Sequence, residues 1–406
     1  MKSNEIFSIS VIGLGYIGLP TSALLASNGY KVHGIDLNKS IVKVINQGKV
    51  HIVEPDLDHF VSTAVSSGHL TAFCEVQPAD VYIICVPTPF KFDSGAPVAD
   101  VSYIKQASCN IAPHIKPGDI IILESTSPVG TTQLVSDVLQ KCGVDIASIY
   151  LAYCPERVLP GKIMKELISN DRVVGGINLE STKKVAEFYR TFVEGEILET
   201  TAETAEMCKL TENSFRDVNI AFANELSMIC DKNGVDVHDL INLANHHPRV
   251  NILQPGTGVG GHCIAVDPWF LVAGDPENTK IIKIAREVND SKPKWVVDQI
   301  IKNKSRLNNS SAKILCLGLA FKPDIDDLRE SPALEVVRSL IQLGHEVAAV
   351  EPNIDCHSDL EITTLDQLDD FDIIAVLVKH KEFDNPQIKN YLQKKNVMDF
   401  CGLFSN

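Results

Sequence analysis

Cys263 stands at the end of a glycine-dense stretch, Pro255-Gly-Thr-Gly-Val-Gly-Gly-His-Cys-Ile-Ala-Val-Asp-Pro268, and an acid, Asp267, follows it by four residues. Four glycines, Gly256, Gly258, Gly260 and Gly261, tolerate φ > 0 and let another molecule approach the main chain closely. The loop therefore reads as a nest of amide N–H groups moulded around an anionic ligand, with a thiol at its rim. Such a thiol is a nucleophile if its pKa is lowered; the plainer alternative is a turn that holds a small buried cysteine. A second set of groups lies upstream, where Lys209 and Asn213 are four residues apart, Arg216 comes one turn later, and Asn224 and Glu225 lie beyond. On a helix Lys209, Asn213 and Arg216 project toward one neighbour, and asparagine, a poor helix former, gains nothing from a solvated position there. The third set is Gly13-Leu-Gly-Tyr-Ile-Gly18, which places Gly13, Gly15, Tyr16, Ile17 and Gly18 between a β-branched run and a helix. Asp36 ends the next strand about 20 residues on, the spacing of a dinucleotide fingerprint whose acid binds the adenosine ribose. An acid there repels a 2′-phosphate, so the expected cofactor is NAD and not NADP.

The elements that must position these groups follow from periodicity. Strands are expected at Ile6 to Ile12, Lys31 to Ile35, Ala79 to Val86, Asp119 to Leu123 and Ile149 to Tyr153, with a helix from Leu19 to Gly29. The carboxyl ends of an open parallel sheet carry the ligand crevice. They deliver Thr88 in Val86-Pro-Thr-Pro89, Thr126 in Glu124-Ser-Thr-Ser-Pro128, and Cys154-Pro-Glu-Arg-Val158. From about Ser181 the pattern turns helical. A helix from Thr204 to Asp231, free of glycine and proline, carries Met207, Leu210, Val218, Phe222, Leu226 and Ile229 as one packing stripe. A second runs from Thr279 to Lys302 with a break expected at Pro293. After a polar linker, Asn308 to Ser311, the opening plan repeats: strand Lys313 to Leu317, turn Gly318 to Lys322, helix Pro332 to Gly344, strand Glu346 to Glu351, then strands at Asp372 to Val378 and Val397 to Phe400. The fold expected is α/β, two Rossmann-like doubly wound domains (1–180 and 306–406) joined by a central helical region (181–305). The second domain keeps one glycine of the fingerprint, and Lys322 and Arg329 supply local positive charge for a diphosphate.

Bulk composition narrows the function. With 406 residues the chain is too long for one ordinary domain, and a net charge of −15 argues against nucleic acid or an anionic membrane as partner. Eleven cysteines show neither a CxxC pair nor zinc-like spacing, and His246-His247 abuts Pro248 with no third ligand nearby. No metal site is expected. No apolar signal core or spanning run is visible, which makes a cytoplasmic protein the expectation.

In order and along nearly the whole chain, these motifs resemble the family of NAD-dependent nucleotide-sugar 6-dehydrogenases. The residues that carry the resemblance are Gly13 to Pro20 (GLGYIGLP), Val86 to Pro89 (VPTP), Glu124 to Thr132 (ESTSPVGTT), Glu206 to Arg216 (EMCKLTENSFR), the Cys263 loop and Gly318 to Ser331 (GLAFKPDIDDLRES). The resemblance implies oxidation of a sugar C6 alcohol to a carboxylate, with Cys263 trapping the aldehyde and then carrying a thioester. It implies Lys209 as proton shuttle or oxyanion stabiliser, Asn213 as hydrogen-bond donor, and Asp267 and Glu156 as aids to proton transfer or water activation. Phe321 and Lys322 would hold the diphosphate of a UDP-sugar and Arg329 the cofactor. Arg157, Val158, Arg216, His247 and Gly260 would also meet the substrate, as would Arg249 from a partner subunit. Val266 and Pro160 depart from the UDP-glucose pattern, in favour of a 2-acetamido sugar. Central helices that belong to neither sheet need a partner surface, so a homodimer or a dimer of dimers is expected.

Overall fold

The computed structural model describes residues 8–93, 96–261, 263–307, 309 and 311–405. Ile6 and Phe7 of the first expected strand, His262 of the glycine loop, and Asn308 and Ser310 of the expected linker lie outside the described residues. The chain divides into two compact units, Met1–Thr211 with Trp269–Gly274 and Glu212–Pro268 with Asp275–Asn406, so the central region expected at 181–305 is shared between them.

The first unit contains β1 (Ser8–Ile12), β2 (Lys31–Ile35), β3 (Leu70–Phe73), β4 (Val81–Ile84), a hairpin of β5 (Phe90–Asp93) and β6 (Ala96–Ala99), then β7 (Ile120–Leu123), β8 (Tyr150–Tyr153), β9 (Arg172–Gly176) and β10 (Ile197–Thr201). Eight of these strands form one sheet in the order β10-β9-β8-β7-β4-β1-β2-β3. β4 reads VYII and β7 reads IIIL, and every residue of both is buried. Such runs suit a parallel sheet covered on both faces. Val81 and Ile83 enter one core layer with Ile9 and Val11, while Tyr82 and Ile84 join Leu123 and Tyr153 in the other. Strand order reverses between β1 and β4, where sheets of this kind open a crevice at their carboxyl ends.

The sheet runs further along the chain than periodicity suggests. β9 pairs antiparallel with β8, and β10 pairs parallel with β9. A helix does run from Leu179 to Tyr189, but β10 follows it, so the uninterrupted helical region starts at Ala202. β10 reads ILETT with Leu198, Glu199 and Thr201 exposed, and a polar edge strand lacks the apolar signal that marks its neighbours.

The second unit holds a parallel sheet of β11 (Ile314–Leu317), β12 (Val347–Val350), β13 (Ile373–Val376) and β14 (Val397–Asp399) in the order β12-β11-β13-β14. Its helix Pro332–Gln342 starts where the sequence allows: Ser331 accepts from the Leu334 N–H and Pro332 opens the first turn. Two long helices complete the frame, Ala202–Asn233, which contains the boundary between the units, and Lys280–Arg306. The break expected at Pro293 does not occur, and the helix continues through it. Proline removes only the bond to the Asn289 carbonyl. That oxygen is close to Gly258, where an added Cβ would lie 3.1 Å from it.

The Ala202–Asn233 helix has inverted polarity. Glu206, Lys209, Asn213, Ser214, Asp217 and Asn224 are buried, while Met207, Phe215, Phe222 and Ile229 are 44%, 67%, 53% and 50% exposed. The single apolar stripe expected from Met207 to Ile229 is thus split, with Leu210 on the inside. Buried polar groups need partners, and in the second unit Asp217 finds them through Oδ1 and Asn224 through its amide, while Ser214 Oγ and Asp217 Oδ2 have none among the described residues. Arg286 Nη1 lies 2.6 Å from Asp217 Oδ1, Asn289 Nδ2 donates to the same oxygen at 2.8 Å, and Asn224 Nδ2 donates to Asn289 Oδ1 at 2.9 Å. Breaking such a buried pair from one side costs about 3–5 kcal/mol.

Lys292 is a further buried charge, 1% exposed, with its Nζ hydrogen-bonded to Ser227 Oγ and 4.0 Å from the Trp295 ring centroid. Burial pushes its ammonium from 10.5 down to about 7, against the pull of Asp231. Between these values the unfolded chain holds a proton that the folded chain lacks, so this group makes stability rise with pH from about 7 to about 10.5, by up to ~1.4 kcal/mol per pH unit. We expect the stability difference between wild type and Lys292→Met to drift in favour of wild type from pH 7 to pH 10 in denaturant titrations; parallel profiles would show the lysine to be charged in the fold.

Candidate active site

In the first unit the glycine turn has the geometry that its sequence asks for. Gly13 has φ of 95° and donates to the Ile35 carbonyl at 2.8 Å. A Cβ on Gly18 would lie 1.8 Å from the Gly13 oxygen, whereas one on Gly15 would meet nothing within 4 Å. The first and third glycines thus close the turn, and the exposed second one leaves backbone open to a ligand. Tyr16 and Ile17 are half-buried beside it, and the helix Gly18–Ser27 begins without a side-chain cap or an acid in its first turn, so the positive end of its dipole faces the turn although the Leu19 and Thr21 N–H groups donate to the Gly15 and Ile17 carbonyls. Asp36 is half-exposed, and its two oxygens accept from the Leu14 N–H at 3.1 Å and the Asn38 N–H at 2.8 Å. These residues fit a dinucleotide with an unphosphorylated ribose.

The carboxyl-end loops are tied to one another. Thr88 donates from Oγ1 to the Thr126 carbonyl, so the β4 and β7 loops meet, and Ser125 Oγ donates to the Val86 carbonyl at 2.7 Å. After β8, Glu156 is buried in an ion pair, Arg172 Nη1 to Glu156 Oε2 at 2.5 Å, and also accepts from the Arg157 N–H at 2.7 Å. Arg157 itself donates to the Asp171 carbonyl at 3.3 Å, and Val158 packs against the core. Glu124 stands close by and accepts from Tyr189 Oη at 2.6 Å and from the Cys85 thiol at 3.2 Å. Burial pushes its carboxyl above the ordinary range, and Arg172 pulls it back. Neither Glu54 nor Glu206 figures among the expected site residues, yet both grip main chain. Glu54 accepts from the Gly161 and Ile163 N–H groups at 2.8 and 2.7 Å, which holds the loop after Val158. Glu206 accepts from Gly130 and Thr132.

In the second unit the structure brings Asn213 and Asp267 together: Asn213 Nδ2 donates to Asp267 Oδ2 at 2.5 Å. Cys263 is exposed, and its carbonyl accepts from the Val266 and Asp267 N–H groups at 3.0 and 2.8 Å, which seats the thiol one turn ahead of the helix Asp267–Gly274. Lys209, buried and belonging to the first unit, precedes Asn213 by one turn along the continuous helix Ala202–Asn233. The start of the loop is held by the buried polar network, since the Gly256 N–H donates to Asn224 Oδ1 at 2.9 Å. Its later glycines admit the chain's own atoms. A Cβ on Gly260 would come 2.3 Å from the Glu330 oxygen and one on Gly261 would come 2.6 Å from Phe321 Cε2. The close approach expected of an external ligand at Gly260 is thus made by the loop that follows β11.

That loop carries the remaining expected contacts. Phe321 and Lys322 are half-buried, and Arg329 pairs with Asp327 at 2.6 Å. Glu351 ends β12 as Asp36 ends β2, and it accepts from the Leu319 and Ala320 N–H groups at 2.7 and 3.0 Å. Unlike Asp36 it is buried, with His380 Nε2 at 3.1 Å. Burial alone would raise its carboxyl; the His380 bond and the two amides hold it below the ordinary value. His380 Nδ1 accepts from the Asp324 N–H, so Nε2 carries the proton and donates to Glu351. Asp324, His380 and Glu382 place potential ligand atoms within 4.8 Å of one another, but both nitrogens of this imidazole are spent inside the fold. Arg216, His247 and Arg249 are exposed. A signal for Glu351 was present in its place at the end of the second strand, and one for Glu206 in its place three residues before Lys209. Glu124 opens the block Glu124 to Thr132, whereas Glu54 and Arg172 have no local pattern that marks them.

Three family models match in succession: the UDP-glucose/GDP-mannose dehydrogenase family NAD binding domain over residues 7–193, its central domain over 203–291 and its UDP binding domain over 315–406. The chain is 51% identical over 417 residues to UDP-N-acetyl-D-mannosamine dehydrogenase of Campylobacter jejuni, covering 98% of this chain and 100% of that one. It is 50% identical over 414 residues to NDP-N-acetyl-D-galactosaminuronic acid dehydrogenase of Ralstonia nicotianae, covering 98% and 96%. The solved UDP-D-ManNAc dehydrogenase of Pyrococcus horikoshii matches with a TM-score of 0.92 at 38% identity, covering 98% and 96%.

The cofactor is NAD, and the Asp36 geometry sets a test of its selection. If Asp36 takes the ribose as its place in the fingerprint predicts, Asp36→Ala removes both that acceptor and the charge that would repel a 2′-phosphate. We expect KM for NAD⁺ to rise about tenfold or more and the NADP⁺ penalty to shrink. Comparable kcat/KM for the two cofactors in wild type would sink this role for Asp36.

Proposed function

The chain belongs to the UDP-glucose/GDP-mannose dehydrogenase family, and from that premise we propose that it oxidises the C6 alcohol of UDP-N-acetyl-D-mannosamine to the carboxylate, for a bacterial surface polysaccharide. The observation that carries this reading is the Asn213–Asp267 hydrogen bond, which joins the helix of Lys209 to the loop of Cys263. NAD⁺, when bound, supplies the hydride acceptor for both oxidations. The alcohol, two NAD⁺ and one water become the carboxylate, two NADH and three protons. Lys209 receives the alcohol proton or stabilises the oxyanion. Asn213 has two amide hydrogens, one given to Asp267 and one left for the C6 oxygen. The Cys263 thiolate adds to the aldehyde, the thiohemiacetal loses its hydride, and the resulting thioester is hydrolysed by a water that Asp267 or Glu156 activates. Covalent capture keeps the aldehyde from escaping. Phe321 and Lys322 hold the UDP diphosphate, and Arg329 reaches the cofactor.

Val266 and Pro160 support a 2-acetamido sugar over glucose. The Ralstonia relative, nearly as similar as the Campylobacter one, favours the galacto epimer as a second reading. A panel of UDP-HexNAc epimers with NADH counted per uronate separates the two. For Cys263→Ser we expect substrate binding to survive and steady turnover to fall by orders of magnitude, because serine is a poorer nucleophile and its ester a slower one to hydrolyse. Near wild-type turnover with two NADH per uronate would remove covalent catalysis.

The same reading includes a homodimer, or a dimer of dimers, in the cytoplasm, where UDP-sugars and NAD are found. Phe215, Phe222 and Ile229 are seven residues apart on one helix, and each is at least half exposed. That repeat suits pairing with its own copy. Sedimentation at micromolar concentration should give a dimer and Phe222→Glu a monomer; a wild-type monomer would contradict both the interface and a role for Arg249 in trans.

A further inference from the structure

Glu206 is fully buried and is spent on main chain that belongs to another element. Its Oε2 accepts from the Gly130 N–H at 2.6 Å, and its Oε1 accepts from the Thr132 N–H at 2.7 Å and from Thr132 Oγ1 at 2.6 Å. These donors are the first turn of the helix Thr131–Lys141, which starts at Gly130 with φ of 90° and has neither a side-chain cap of its own nor an acid in its first turn. Glu206 is therefore the cap, delivered from the Ala202–Asn233 helix. Three donors converge on one carboxylate, and bonds to an ionised acceptor are short and strong. The same loop carries Thr126, whose carbonyl takes the Thr88 hydroxyl. Glu206 and Lys209 are three residues apart and share a side of their helix.

We propose that Glu206 is a positioning residue that registers Lys209 against the cofactor loop, so that the proton-transferring amine and Thr126 are held by one carboxylate. This rests on the roles given above to Lys209 and Thr126. Glutamine at this position keeps one acceptor but turns an NH₂ toward an N–H donor, so the helix must rotate or shift away from the loop. Aspartate keeps the charge on a shorter arm. Thr132→Val removes one of the three donors without touching Glu206. A helix-stability role alone would lower thermal stability and the active fraction, yet leave kcat per folded site unchanged.

The test uses the full-length protein, with active sites titrated by alkylation of Cys263 and turnover followed as NADH. Glu206→Gln should lose about 100-fold in kcat per titrated site, the scale of a misplaced catalytic group, with KM for the UDP-sugar within about threefold. The limb of the pH–rate profile that disappears in Lys209→Ala should move, and Glu206→Asp should recover part of the rate. Thr132→Val should cost less, and the double variant no more than Glu206→Gln alone. If Glu206→Gln fails to fold, Glu206→Asp and Thr132→Val carry the same comparison. A rate per titrated site within twofold of wild type in the folded variants overturns the proposal while leaving Lys209 in place. A fully active Lys209→Ala overturns instead the role of the lysine on which it rests.

Discussion

The constraint on which the second unit depends is a buried charge that must not be left alone. Arg286 and Asp217 are both about fully buried, and an unpaired charge at that depth would cost more than the pair returns. The requirement propagates. Asn289 shares the Asp217 Oδ1 with Arg286, Asn224 donates to Asn289, and the second side of Asn224 takes the amide of Gly256 at the root of the cysteine loop. The loop that carries the thiol is thus anchored by the same bonds that neutralise the interior. Helix Lys280–Arg306 contributes two members of this chain, Arg286 and Asn289, both in the part before Pro293. Polarity inside and apolar side chains outside on the Ala202–Asn233 helix are two sides of one arrangement.

A second device recurs through both units: buried acids hold loops by their amides. Glu54 grips residues 161–163, Glu206 the turn at Gly130, and Glu351 the turn after β11. Part of the charge of −15 is therefore structural, and the acidity of the chain does not mean an acid-lined cleft. A carboxylate suits this work because it offers two acceptors with no competing donor. Loops at the carboxyl ends of strands are where substrate contacts must be placed, and rigid anchoring limits their drift.

The two Rossmann-like halves solve one geometric problem with different outcomes. Each ends its second strand in an acid that accepts from an amide just after its first strand, Asp36 from Leu14 and Glu351 from Leu319. Asp36 is left half-exposed. Glu351 is covered by His380, whose other nitrogen pins Asp324 in a left-handed conformation at φ of 62°. The acid left open to a ligand in one half is, in the other, a strut for the loop bearing Phe321 and Lys322.

Much of this protein is set by local sequence. The strand-turn-helix at Gly13 to Ser27, the position of Asp36, the second sheet after Ala312 and the i, i+4 relation of Lys209 and Asn213 all follow from short-range sterics and periodicity, which act within a few residues and so can be read along the chain. Family membership was legible too, because the blocks at Gly13, Lys209, Cys263 and Gly318 stand in order. Tertiary structure alone decided the rest. That Glu156 is locked to Arg172, that Asn213 bonds Asp267, that β10 adds a polar edge to the first sheet, and that the glycines at 258–261 admit Pro332 and Phe321 are facts about residues 16 to more than 70 positions apart or about burial. The same determines which face of the long helix is inside: a hydrophobic pattern assigns apolar side chains to the core, and only the network of Asp217, Arg286, Asn289 and Asn224 supplies enough satisfied partners to reverse that rule.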